Sequence, residues 1–211
     1  MPDIASFIQQ FAIMALPVLL AITVHEVAHG YVAFLLGDPT AKNAGRLTLN
    51  PIKHLDLVGT IALFLIHIGW AKPVPINAAF FANPKKGLVL VSIAGPAANF
   101  LLAVVFALLF HIVSPSGGLS GIAGLGPVQY MFLIGVIVNI GLGIFNLLPI
   151  PPLDGSNILL GILPPRLGNM LIQYRTYGFL VLVGFLIVLF ASDVPLIKPL
   201  INRLTLFLLP A

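Results

Sequence analysis

The sequence predicts an all-α, multi-pass transmembrane helix bundle that carries a re-entrant or β-edge segment on its cytoplasmic side. Three observations predict it. Of 211 residues, 59% are apolar and only 16 are charged, ten Lys or Arg and six Asp or Glu; soluble domains run at about 45–50% apolar and about 25% charged. The apolar residues gather into stretches comparable to the roughly 20 residues a helix needs to cross hydrocarbon. The Lys and Arg residues fall mainly between those stretches. A water-soluble globule is excluded. The absence of Cys also excludes disulfides, thiolate zinc sites, iron–sulfur clusters and Cys nucleophiles. The net charge of +4 reads as Lys and Arg on one face of a membrane rather than as a nucleic-acid site, so the expected environment is the lipid bilayer, with no nucleic acid.

The elements follow in order. No charge interrupts the chain between Asp3 and His25, and the apolar run resumes from Val27 to Leu36. Pro17 can bend this first helix, as lipid-embedded helices tolerate. Gly87 to Val113 and Pro127 to Ile150 are the second and third clear spans, and Tyr177 to Ala191 is a shorter fourth. Val194 to Ala211 keeps an apolar face despite Lys198 and Arg203, which suits an interfacial or final packed helix. Val58 to Ala71 is apolar but broken by Gly59, His67 and Gly69, near the length of a re-entrant segment. One membrane-embedded domain is expected over 1–211, with a core at about 7–165 and C-terminal helices at 172–211.

The chain has a single Glu, Glu26, and it lies in His25-Glu26-Val27-Ala28-His29. On a helix, positions i and i+4 share a face, so both imidazoles can reach one metal ion. Glu26, offset by one residue, stands beside the ligands and is free to act on a water there. The third ligand cannot be a second Glu, because none exists, and the extended three-His motif would need His where Leu35 stands. Asp3, Asp38, Asp56, Asp154, Asp193, His54, His67 and His111 remain. Asp154 stands out within Asn146-Leu-Leu-Pro149-Ile-Pro151-Pro152-Leu153-Asp154-Gly155, where prolines end the third span and Gly155 allows close backbone approach.

These residues resemble a known family. His25-Glu-x-x-His29, Gly95-Pro96 with Asn99 in a middle helix, and Asn146-x-x-Pro149-x-x-Pro152-Leu-Asp154-Gly155 look like the site-2 protease family of intramembrane zinc metalloproteases. The likeness is strongest to its short prokaryotic branch without PDZ or CBS modules, which also carries a stretch like Gly45-Arg-Leu-Thr-Leu-Asn-Pro51. It covers roughly residues 20 to 160. The resemblance implies that His25, His29 and Asp154 bind one Zn²⁺ and that Glu26 is the catalytic base.

Topology offers a separate test. The His pair lies about nine residues, ~14 Å, before the end of the first helix, and Asp154 follows the end of the third span. To meet at one depth, those helices must run in the same direction, with an odd number of crossings between them. Gly87–Val113 supplies one, so Val58–Ala71 should not cross. Lys42, Arg46, Lys53, Lys72, Lys85 and Lys86 then place 37–86 in the cytoplasm, while 114–126, with no Lys or Arg, lies outside. The metal is expected nearer the cytoplasmic face of the plasma membrane.

Asn146 is the candidate donor to the developing oxyanion. Asn99 and Asn139 read as ties between helices, and His54, His67 and His111 as loop, interface or packing residues. Thr23 is a candidate for admitting water. The alternating prolines of Ala71-Lys72-Pro73-Val74-Pro75-Ile76-Asn77 suit an edge strand onto which a membrane-spanning protein substrate could be unwound. The function expected is a zinc endopeptidase cutting in or near a substrate's transmembrane segment, as in regulated intramembrane proteolysis. The competing class is a multi-span transporter or non-catalytic metal-binding membrane protein, since intramembrane His, Glu and Asp also serve ion passage.

Overall fold

The computed structural model describes residues 4–59, 70–114, 124–191 and 197–209. Eight α-helices appear among them: α1 (Ile4–Leu35), the single turn α2 (Thr40–Asn43), α3 (Pro84–Val113), α4 (Pro127–Asn146), α5 (Asp154–Ile162), α6 (Pro165–Tyr174), α7 (Gly178–Ala191) and α8 (Lys198–Leu208). Four stretches are long and apolar enough to cross a membrane: Ile13–Leu35, Pro84–Val113, Pro127–Asn146 and Arg166–Val188. The last starts earlier than the expected Tyr177, because a 3₁₀ turn at Arg175–Tyr177 carries α6 into α7. The segment 60–69, on which the re-entrant expectation falls, lies outside the described residues.

Local signals set the helix ends. The Asn83 side chain accepts from Lys86 N–H, and Pro84 occupies the first turn, where its missing donor costs nothing. Gln129 accepts from Gly126 N–H at 2.8 Å and donates to Ser114 Oγ at 2.7 Å, so one side chain ties the end of α3 to the start of α4. α4 stops at Asn146, ahead of the expected Ile150, and the proline-rich 147–153 is non-helical.

The core lies between α3, α4 and α8. Ala103, Phe106, Ala107 and Phe110 of α3 meet Leu133, Val136 and Ile140 of α4, with Leu209 beyond α8 completing the cluster. Within 194–211, Lys198–Leu208 is helical, and its Ile201, Leu204 and Leu208 pack against this cluster. Lipid tails are as apolar as Leu, so burial alone does not hold such helices together; close packing and polar ties do. Phe106 lies against Gly135, where any Cβ would collide with its ring. Asn99 Nδ2 donates to Asn139 Oδ1 at 2.9 Å across the α3–α4 interface.

The edge-strand expectation needs correction. Among the described residues 71–77 form no strand, only an isolated antiparallel bridge between Leu55 and Ala71. The reason is competition for backbone groups. Arg46 takes the carbonyls of Lys72 and Pro73, Glu26 takes the N–H of Val74, Asp38 takes the N–H of Asn77, and Pro73 and Pro75 have no N–H to give. Side chains consume what a ladder would use. The segment is a strap lying against the C-terminal part of α1.

Asp38, just past α1, anchors the far end of that strap. It is fully buried and accepts from Asn77 N–H at 2.6 Å, Thr40 N–H at 2.9 Å and the Thr40 hydroxyl. Burial pushes its pKa up, but the Thr40 hydroxyl and the two backbone donors outweigh burial and hold it below the ordinary 3.8. A depressed carboxylate pKa contributes stability above its unfolded value, and that contribution is lost as pH falls through the folded one. Hydrogen exchange at Asn77 N–H, corrected for the intrinsic rate, should therefore show constant protection from pH 7 to about 5 and a loss below about pH 4. In Asp38→Asn, protection should be weak at every pH.

Candidate metal centre

His25 and His29 stand one turn apart on α1, in the C-terminal half of the span Ile13–Leu35. Asp154 opens α5 after the non-helical stretch. The three converge: among the described residues they form the one group of His, Cys, Asp or Glu that could hold a metal ion. His25 Nε2 and His29 Nε2 are 2.9 Å apart, and Asp154 Oδ2 is 3.2 Å from each. Ligands about 2.0–2.1 Å from a tetrahedral zinc ion lie about 3.3 Å from one another, so the spacing suits a shared cation.

The protons of the site follow from its neighbours. Asn99 Nδ2 donates to Ala21 O at 3.1 Å and to Asn139 Oδ1, and Asn139 Nδ2 in turn donates to Gly135 O at 2.8 Å. The Asn99 amide is thus oriented with Oδ1 towards His25 Nδ1, 2.6 Å away. His25 Nδ1 must carry the proton. His29 Nδ1, 2.7 Å from the carbonyl of Val91, must carry one too. In the neutral tautomers with the proton on Nδ1, the Nε2 lone pairs face one another and Asp154 Oδ2. In that state the three atoms are a donor set that a positive ion at their centre would satisfy.

Two glycines allow this approach. A Cβ on Gly95 of α3 would stand 2.6 Å from His25 Cε1 and closer still to His29 Nε2, so only glycine lets α3 run this near the group. A Cβ on Gly155 would meet the carbonyl oxygens of Leu147 and Leu148, so glycine there lets α5 fold back beneath the end of α4.

Glu26 is partly buried, and its Oε2 accepts from Val74 N–H at 2.9 Å. The other third-ligand candidates within the described residues are engaged elsewhere. Asp38 anchors the strap, Asp56 Oδ1 accepts from Gly59 N–H, His54 Nε2 donates to Thr48 O and His111 Nε2 to Leu208 O. Asp3, His67 and Asp193 lie outside the described residues. Asn146, the last residue of α4, donates through Nδ2 to Leu142 O at 3.0 Å; no hydrogen bond joins it to the group among the described residues. Thr23 is buried with its hydroxyl unpartnered. Asn99 is the residue whose importance the sequence reading understated: it ties helices, as expected, and also orients His25.

The sequence model of peptidase family M50 matches residues 12–191, which takes in every residue of the group. The chain belongs to peptidase family M50. A Bacillus subtilis (strain 168) protein named "Putative zinc metalloprotease YwhC" is 44% identical over 168 residues, 80% of this chain and 77% of that one. A Mycolicibacterium smegmatis protein named "Putative zinc metalloprotease Rip2" is 32% identical over 191 residues, 86% of this chain and 69% of that one. No solved structure matches. Membership decides between the two function classes in favour of the peptidase: this M50 chain is a multi-pass membrane zinc metallopeptidase.

Asn99→Leu in this M50 peptidase should weaken zinc binding about 10- to 100-fold, the usual cost of losing an outer partner of a ligand His. Asn139→Leu, which leaves Asn99 its bond to Ala21 O, should cost less than Asn99→Leu. Competition against a fluorescent chelator measures both.

Proposed function

We propose that the chain is an intramembrane endopeptidase that hydrolyses a peptide bond in or near the transmembrane segment of a membrane protein, in the manner of regulated intramembrane proteolysis. His25, His29 and Asp154 hold one zinc ion, Glu26 is the general base and Asn146 donates to the oxyanion. The observation that carries this reading is depth. His25 and His29 lie about 15 Å and about 9 Å from the Leu35 end of an apolar span, at 1.5 Å per residue, and Asp154 reaches the same level. Titratable groups at that level are costly and usually functional. The site works nearer the cytoplasmic face of the plasma membrane, because the Leu35 end leads into the Lys- and Arg-bearing stretch 37–86.

Zinc, when bound, lowers the pKa of water and polarises the scissile carbonyl. The protein's own groups do the rest. The Nδ1–H bonds to Asn99 and Val91 fix both rings and aim each Nε2 inward. Glu26, held at Oε2 by Val74, takes the proton of the attacking water at Oε1 and returns it to the departing amide nitrogen. Asn146 Nδ2 has two hydrogens; one is on Leu142 O, and the second serves the oxygen that becomes negative.

Purified protein in liposomes, given single-span membrane proteins, tests the reading. Mass spectrometry of the products should place the new termini within or beside the substrate's span, and 1,10-phenanthroline should stop their formation. Cuts confined to soluble tails, or cleavage indifferent to the chelator, would overturn it.

A further inference from the structure

Arg46 belongs to no part of the chemistry above, yet it is buried. A buried guanidinium needs acceptors, and the acceptors here are all backbone. Nη2 donates to Lys72 O at 2.5 Å and Nη1 to Pro73 O at 3.3 Å. The next residue along the strap is Val74, itself buried, whose N–H holds Glu26 Oε2 at 2.9 Å. From Arg46 to the carboxylate the path is one peptide unit through Pro73 O and two through Lys72 O.

Packing from the other side makes the position narrow. Gly30 lies one turn after Glu26 on α1. A Cβ there would stand 2.8 Å from Leu47 Cδ2 and 3.0 Å from Val74 Cγ1. The strap therefore seats in the gap that Gly30 leaves, while Arg46 grips the carbonyls that precede Val74. The far end is fixed by Asp38 on Asn77 N–H, and Lys72 N–H is fixed by His54 O at 2.9 Å. Of the two Glu26 oxygens, only Oε2 has a hydrogen-bond partner among the described residues.

We propose that Arg46 is a positioning residue for Glu26: through the 72–74 backbone it sets the Val74 N–H that engages one carboxylate oxygen and leaves the other as the proton acceptor. The inference rests on the peptidase reading, since a base with nothing to deprotonate needs no aiming. A base must meet its proton at hydrogen-bond distance, and a displacement of about 1 Å costs up to a hundredfold in rate. Substrate affinity has no such dependence on the rotamer of Glu26.

The test uses full-length protein in liposomes with a cleavable single-span substrate. Arg46→Gln should keep one zinc per chain and lower kcat at least about tenfold with KM within twofold; Arg46→Lys, which can still reach one carbonyl, should recover part of that loss. Gly30→Ala pushes Val74 from the opposite side with Arg46 intact and should lower kcat in the same way, which keeps the test open if Arg46→Gln fails to fold. Wild-type kcat in either folded variant, or a rise in KM at unchanged kcat, overturns the proposal. Glu26→Gln run in parallel separates the two readings: if it is inactive while Arg46→Gln is fully active, the positioning role fails and the peptidase stands. If the wild type cuts no membrane substrate at all, both fail together.

Discussion

Glu26→Gln should abolish peptide-bond cleavage, by at least about a thousandfold, while zinc remains at one per chain. The size follows from the general-base role, worth about 10²–10⁴ in rate, at a position with no substitute: Glu26 is the only Glu in the chain. Zinc persists because the three inward-facing atoms come from His25, His29 and Asp154, not from Glu26. Glutamine is nearly isosteric and keeps an amide oxygen for Val74 N–H, so the strap and the fold should be unchanged. The measurement pairs metal content by elemental analysis with substrate turnover. Cleavage within tenfold of wild type would mean that another group moves the proton.

Asp154→Ala should have the second large effect, of the opposite kind. It removes the one anion of the cluster and its only contribution from outside α1. Losing merely an outer partner of a ligand costs about 10- to 100-fold in metal affinity, so losing the carboxylate itself should cost more than about a hundredfold and take activity with it. Added zinc should restore little turnover, whereas Glu26→Gln is insensitive to added zinc because its site is already filled. Tight metal retention in Asp154→Ala, confirmed by unchanged chelator competition, would remove Asp154 from the centre.

Much of this was legible in the sequence, and what was not has a physical reason. His25 and His29 announce themselves because helical periodicity converts a spacing of four into a shared face. The long spans announce themselves because the bilayer demands uninterrupted apolar length. Asp154 could be singled out from its proline-rich setting, but only three-dimensional convergence brings it within 3.2 Å of both imidazoles. The strap was misread for a related reason. Alternating prolines at 73 and 75 argue against a helix, and no helix forms there. Whether such a backbone pairs as a strand depends on who takes its remaining N–H and C=O groups. Here those takers are Arg46, Glu26 and Asp38, remote in sequence and in no periodic register with it. Asn99 shows the same limit: an amide in an apolar helix reads as a helix tie, and the second role depends on a partner 74 residues away.

The amide relay from His25 through Asn99 and Asn139 to the Gly135 carbonyl runs across α1, α3 and α4. Assembly of the three longest helices and assembly of the zinc-binding pocket are consequently one event. His25 Nδ1 and His29 Nδ1 are held by Asn99 and the Val91 carbonyl, bonds that do not involve an ion. Stripping and reloading should be fast and reversible, and the stripped protein should melt as a folded bundle rather than collapse as a small zinc finger does.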